Sequence, residues 1–198
     1  MKIPSCYRFI ELRMKTLNTF LILSFVFFYS CASKNDTAVL GYGEIISFSK
    51  KMHKKNHLDL FGIGGIYQEK TIDIMDVDYN CYEKVDLAVA RMQLITGIEG
   101  FLNDINQNLK LRPYLRQYPC THQGVRMAIL YSKTEINDET ESVFVPPPYI
   151  ASAFLVNGRL NYSIYDTEKD KLVHVHDETY EEALQIVTNE NPDLLQTR

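Results

Sequence analysis

Two pairs of histidines have the spacing of metal ligands. His53 and His57 are four residues apart in a segment with helical periodicity, and His174 and His176 are two residues apart in a segment that alternates like a strand. Both spacings place two imidazoles on one face of an element, where they could hold zinc or copper. Neither pair has the glutamate of a His-Glu-x-x-His zinc site, and no third ligand is evident. Histidines at the surface or at helix ends are the alternative, and no metal is predicted.

Cys120 and His122 could act as a nucleophile and its base. A base two residues away in a loop is not held at bonding distance by that spacing alone. The sequence contains no Ser-His-Asp spacing, phosphate-binding loop or paired-carboxylate motif. The prediction is therefore a protein without catalytic residues and without a cofactor.

The segment from Asp76 to Asn80 copies the first three ligand positions of a calcium-binding EF-hand loop. Position six is Cys81 where the loop needs glycine, and position twelve is Leu87 where it needs glutamate. An EF-hand is excluded. A looser divalent-cation site on Asp76 and Asp78 stays open, beside the simpler interpretation of a solvated strand face.

Periodicity predicts the elements that position these residues. A long helix is indicated at 83–109, where apolar residues recur at helical spacing. Shorter helices are predicted at 44–57 and from a cap at Asp177 or Thr179 through Val187. Strands are predicted at 58–67, 71–79, 125–132, 149–156, 159–165 and 171–176, and Asn157-Gly158 is a hairpin signal.

The order of these elements predicts the fold class. Two strands precede the long helix, and four strands and a short helix follow it. This pattern indicates one α+β domain at 44–191, with an antiparallel sheet packed on the long helix and short helices at both ends. Residues 192–198 form a tail, and the polar segment 133–142 is expected to be a surface loop.

The N-terminal segment reads as an export signal. Met14-Lys15 supplies a positive start, and the apolar run at 17–29 is too short to span a bilayer comfortably at about 20 residues per helix. Translation could start at Met14. Ordinary secretion with cleavage nearby and an uncleaved anchor remain alternatives.

The end of this run, Phe28-Tyr29-Ser30-Cys31, resembles the lipobox of bacterial lipoproteins. The resemblance implies that residues 1–30 are removed, that Cys31 carries lipid, and that 31–43 form a tether leaving the membrane. In bacteria with two membranes, aspartate after that cysteine favours the inner membrane. Because Ala32 follows here, the resemblance implies a cell-envelope protein on the outer membrane where there is one.

Export also changes the charge of the chain. Removing residues 1–30 takes four of 21 basic and one of 25 acidic residues, which leaves 17 against 24 and a formal net charge of −7. An acidic surface argues against a nucleic-acid partner, whose phosphates need basic side chains.

Export to the cell envelope also affects the expected state of the cysteines. Cys6 is lost with the signal and Cys31 is acylated, so only Cys81 and Cys120 remain. In an oxidising compartment two remaining cysteines commonly pair, and a Cys81–Cys120 disulfide is therefore predicted.

These observations favour a membrane-anchored, non-catalytic domain that binds a protein or another envelope component. A metal-binding lipoprotein that uses the paired histidines is the alternative, and a small envelope hydrolase is a third hypothesis. A flat or apolar exposed sheet would favour the first, and a concave surface with convergent polar groups would favour the third.

Overall fold

The computed structural model describes residues 36–68, 70–133 and 143–192. The predicted signal peptide, Cys31 and residues 193–198 lie outside these ranges, as does most of the predicted loop at 133–142. Within them the chain forms three α-helices and six strands. They are α1 (Asp36–Asn56), β1 (Asp59–Gln68), β2 (Thr71–Cys81), α2 (Leu87–Gln107), β3 (Val125–Tyr131), β4 (Ser152–Val156), β5 (Arg159–Asp166), β6 (Lys171–Thr179) and α3 (Tyr180–Glu190).

The six strands form one sheet in which the spatial order follows the chain, from β1 to β6. Four neighbouring pairs are antiparallel, as predicted, but β2 and β3 are parallel. The reason is the connection: α2 carries the chain back to the starting end of β2, so β3 runs in the same direction. The α+β class is confirmed, and the sheet is mixed.

Helix α2 is the central helix of the core. Its buried side chains include Leu94, Ile98 and Phe101. A Cβ atom at Gly97 would lie 2.9 Å from Met127 Sδ and 3.2 Å from Met52 Cε, so glycine allows β3 and α1 to approach closely. The long helix predicted from the sequence is therefore the element on which the sheet packs.

Helix α1 begins at Asp36, within the segment predicted to be a tether. Phe48 packs on Phe101 of α2 with ring centroids 5.0 Å apart, and Ser49 bonds the hydroxyl of Tyr79 in β2 at 3.0 Å. Burial raises the pKa of Tyr79 to about 12. The helix therefore packs against both α2 and the sheet.

The C-terminal half confirms two local predictions. Asn157 and Gly158 have φ values of 50° and 73°, as a tight hairpin between β4 and β5 requires. Thr179 caps α3 in a reciprocal capping box with Glu182, and Tyr180 bonds Glu99 of α2. In the described part of the chain, no helix has both the length and the apolar character needed to cross a bilayer.

Candidate functional site

The edge strand β1 carries a row of exposed apolar side chains. Leu60, Phe61, Ile63 and Ile66 expose 39%, 65%, 41% and 37% of their surface. No charged residue lies between Leu60 and Gln68. Long, uncharged, apolar edge strands are sites where another chain can add a strand, and most proteins protect them.

The local sequence explains why these side chains stay uncovered. Phe61 is the extra residue of a bulge, since Leu60 pairs with Tyr79 and Gly62 pairs with Asp78. A Cβ atom at Gly65 would lie 2.6 Å from the carbonyl oxygen of Ile74, so β1 follows β2 closely there only with glycine. The strand is thus close to β2 and has few side chains of its own to cover the edge.

One face of α1 borders this strand. Tyr42 meets Tyr67 edge-on with ring centroids 5.6 Å apart, and His53 Nδ1 lies 2.5 Å from Asp59 Oδ1. Ile46, one turn after Tyr42, exposes 42% of its surface. Ile46, Leu60, Phe61, Ile63 and, on the opposite face of the sheet, Ile66 are together named the β1 edge surface.

The structure does not bring the first histidine pair together. Helix α1 ends at Asn56, and His57 has a φ of 53°, so it no longer continues the helical face of His53. His53 instead contacts Asp59. The i, i+4 spacing would place both imidazoles on one helical face only if the helix continued through His57.

The second pair is also separated, by a bulge in β6. Tyr162 pairs with His176 but Ser163 pairs with His174, so the regular alternation is broken between the two histidines. His174 Nε2 lies 3.3 Å from Asp177, whereas His176 stacks on Tyr162. Among the described residues, no group of three or more His, Cys, Asp or Glu is arranged to hold a metal.

Sequence reasoning missed a buried polar cluster around Glu178. Arg91 Nε donates to Glu178 Oε1 at 2.7 Å, and the Tyr162 hydroxyl donates to the same oxygen at 2.8 Å. The side chains of Arg91 and Glu178 are 11% and 6% exposed. The cluster links α2, β5 and β6. Because separating buried charges costs free energy, it holds these three elements in position relative to one another. No sequence signal identified it, because Arg91 and Glu178 are far apart in the chain.

The predicted Cys81–Cys120 disulfide is absent, and both thiols are free and buried. Cys81 pairs with Tyr131 at the end of β3, whereas Cys120 Sγ lies beside Gly124 just before β3 begins. The length of β3 separates the two by about 20 Å. A disulfide needs Cα atoms within about 7 Å, so this sheet does not allow the bond.

Cys120 also lacks the environment of a nucleophile. Burial raises the pKa of its thiol to about 11, which keeps it protonated. The His122 ring stacks on Tyr180 at 4.2 Å, and its Nε2 lies 3.0 Å from Gln123 Nε2. The imidazole therefore has other partners than the thiol.

A cleft of about 590 Å³ opens beside Cys120, at the start of β2. It is lined by Ile66, Ile74, Asp73 and Arg116 among others. The charged side chains at the cleft bond each other, because Arg116 Nη1 donates to Asp73 Oδ2 at 2.7 Å. These two charged groups thus neutralise each other instead of converging on the cavity.

Asp76 and Asp78 lie on the sheet face opposite to Tyr79. Burial raises the pKa of both carboxyls, and the charge of Asp76 raises that of Asp78 further. Arg126 Nη1 lies 3.7 Å from Asp76 Oδ2. A cationic side chain thus already accompanies the pair that the sequence left open as a divalent-cation site.

No protein-family model, curated protein or solved structure matches this chain.

Proposed function

We propose that the chain is a cell-envelope lipoprotein whose α+β domain binds a protein partner through the β1 edge surface. Lipid on Cys31 holds it at a membrane, which is the outer membrane in a bacterium with two. The domain acts by binding and not by catalysis.

The observation that supports this function is the exposed apolar row on β1. An edge strand offers unpaired backbone N–H and C=O groups, and apolar side chains beside them add affinity for an incoming strand. The exposed fractions of Leu60, Phe61, Ile63 and Ile66 lie between 37% and 65%. An apolar exposed sheet edge is the feature expected of a binding domain, whereas the two charged side chains of the cleft, Asp73 and Arg116, bond each other.

The start of α1 lies close in sequence to the proposed lipid anchor at Cys31, which supports a domain held near the membrane. Asp36 is five residues beyond Cys31, so the connecting chain reaches at most about 18 Å when fully extended. Two or three acyl chains on one cysteine suffice for stable attachment, because each buried methylene contributes about 0.8 kcal/mol. The domain would then work close to the membrane surface.

The metal-binding alternative receives no support from the histidines, since each pair is separated by a helix end or a bulge. The hydrolase alternative would need an activated group in the cleft, and burial keeps the Cys120 thiol protonated. Neither is proposed.

Metabolic labelling with a palmitate analogue tests the anchor. The full chain should incorporate the label and sediment with membranes, and Cys31→Ser should lose both properties. Labelling of Cys31→Ser at the level of the parent chain would contradict the anchor. Cys120→Ser serves as the matched control, because that thiol is buried and its replacement should leave labelling unchanged.

A further inference from the structure

We infer that the partner of the β1 edge surface is the same surface of a second copy of this chain, so that two sheets join along β1. This inference rests on the proposed function, because it names the occupant of that binding surface. The two copies would pair in antiparallel fashion about a two-fold axis that passes between their facing Ile63 residues, perpendicular to the sheet. Both helical layers then lie on the same side of a twelve-stranded sheet.

The backbone of β1 is available for this pairing. The strand is ten residues long and lies at the end of the sheet order, so only one of its sides pairs with β2. Among residues 36–68, 70–133 and 143–192, no segment pairs with its other side. Alternate N–H and C=O groups on that side are therefore open to a strand from outside.

The sequence of β1 suits pairing with itself. About the proposed axis, Ile63 faces Ile63 of the second copy and Gly62 faces Gly64 of the second copy. In such a pair the residues near the axis meet their own kind, so a charged strand would repel itself. From Leu60 to Gln68 the strand carries no charge, and no like charges meet, even though the chain as a whole is acidic.

The exposed side chains lie where a second copy would cover them. Leu60 pairs with Tyr79 and Ile63 with Val77, so both point to the helix-covered side of the sheet although they lie at its edge. Ile46 is one turn after Tyr42, which contacts Tyr67 of β1, and therefore lies on the same side of α1. A second copy would bring its own α1 and its own Ile63 against these three side chains.

The apolar area fits a modest interface. With about 200 Å² for a large side chain, the exposures of the β1 edge surface leave on the order of 400 Å² on each copy. Stable interfaces bury about 800 Å² per partner, and the paired backbone adds to the side-chain area. Association should therefore be concentration-dependent in solution and favoured when lipid anchors hold two copies on one membrane.

Disulfide cross-linking of the full chain in cells tests the pairing. Ile63→Cys places a thiol at the axis, where facing Cβ atoms are about 4.5–5.5 Å apart and can form a disulfide after a small shift. Mild oxidation should give a dimer band on a non-reducing gel that disappears on reduction. Val175→Cys on β6 is the matched control, since Val175 is 46% exposed and Ile63 41%, and it should stay monomeric.

A second pair of variants separates loss of pairing from loss of folding. Ile46→Cys changes only a helix surface, and a bis-maleimide reagent should join two copies through it.

In sedimentation of the purified full chain, Ile63→Lys should weaken self-association at least tenfold because it places two like charges at the axis. Val175→Lys should leave it unchanged, and equal behaviour of the two lysine variants would overturn the inference.

A photo-cross-linking residue at position 63 distinguishes this inference from the proposed function. A product of twice the chain mass that contains only this protein supports both. A product with one different envelope protein, and no dimer, retains the proposed function and overturns the second-copy partner. No product of either kind overturns both.

Discussion

The two edges of the sheet are built in opposite ways. Edge strand β6 contains Lys171, His174, His176, Asp177 and Glu178, whereas edge strand β1 is uncharged from Leu60 through Gln68. Both strands have bulges, and both expose apolar residues, but Leu172 and Val175 of β6 stand among charged neighbours. Because both strands have bulges, the charges distinguish the two edges, and charges on an edge oppose strand addition.

The difference shows that the exposed row on β1 does not follow from the fold alone. One sheet carries both edges, and one of them has the charges that discourage pairing. β6 is also connected to the core through Glu178 and runs directly into α3. We therefore expect that β6 is stabilised by its polar interactions with the core, whereas β1 is stabilised by its close contact with β2.

The largest effect is expected at Glu178. Glu178→Ala leaves the buried guanidinium of Arg91 and the hydroxyl of Tyr162 without their acceptor. Removing one member of a buried ion pair costs about 3–5 kcal/mol, which urea unfolding would measure. Arg159→Ala is the control, because it breaks a largely exposed pair with Asp177 worth at most about 1 kcal/mol. Equal losses for the two variants would mean that the cluster does not stabilise β6.

A smaller loss is expected at Gly65, where β1 touches β2. Gly65→Ala places a methyl group 2.6 Å from the Ile74 carbonyl oxygen and 2.8 Å from the Tyr67 ring, so the backbone must shift. Overpacking of this kind costs about 1–3 kcal/mol. Gly43→Ala is the control: it meets no atom within 4 Å and should raise the free energy of unfolding by about 0.5–1 kcal/mol. If thermal or urea unfolding showed that both variants change the free energy of unfolding in the same direction, the close contact at Gly65 would be contradicted.

The junction of β6 and α3 should show an effect of about 1 kcal/mol. Thr179→Ala removes the side-chain oxygen that accepts from Glu182 N–H at 3.2 Å, and with it one of the two reciprocal bonds of the capping box. Thr188→Ala is the matched control, because that hydroxyl only donates back to Leu184 within the same helix. If urea unfolding shows equal midpoints for the two variants, the Thr179 cap does not stabilise the junction of β6 and α3.

Local patterns in the sequence predicted the local structure well. The periodicity of α2, the Asn157-Gly158 turn and the Thr179 cap each depend on residues close in the chain, and the structure confirms them. The parallel pairing of β2 with β3 was not predicted, because it depends on where α2 returns the chain.

The site was harder to predict, because it depends on how residues far apart in the chain are placed by the fold. Cys81 and Cys120 were paired on compartment chemistry, but their separation is set by the length of β3. The cluster at Glu178 joins residues from both halves of the chain. The apolar residues of β1 were visible in the sequence as a strand, but only the sheet order shows that this strand is an edge.

The smallest predicted effects are on the sheet face opposite to Tyr79. There, two aspartates near opposite edges should make contributions to stability that change in opposite directions with pH. Burial and the nearby Asp76 raise the pKa of Asp78, whereas hydrogen bonds from Arg159 and His174 lower the pKa of Asp177. A raised carboxyl pKa means that ionised Asp78 disfavours the fold above its folded pKa, and that this deficit disappears as the pH falls. A lowered pKa means that Asp177 stabilises the fold above its unfolded pKa of about 3.9 and loses this contribution as the pH falls.

At pH 7, Asp78→Asn should therefore raise the urea midpoint and Asp177→Asn should lower it. At a pH below both folded pKa values, each variant should match the parent chain, because both carboxyls are then protonated. A midpoint shift of the same sign for both variants at pH 7 would contradict the opposite charge environments of the two edges. Since Asp78 lies across from Gly62 of β1, the Asp78 result also reports whether the glycine-rich edge leaves this carboxylate poorly compensated.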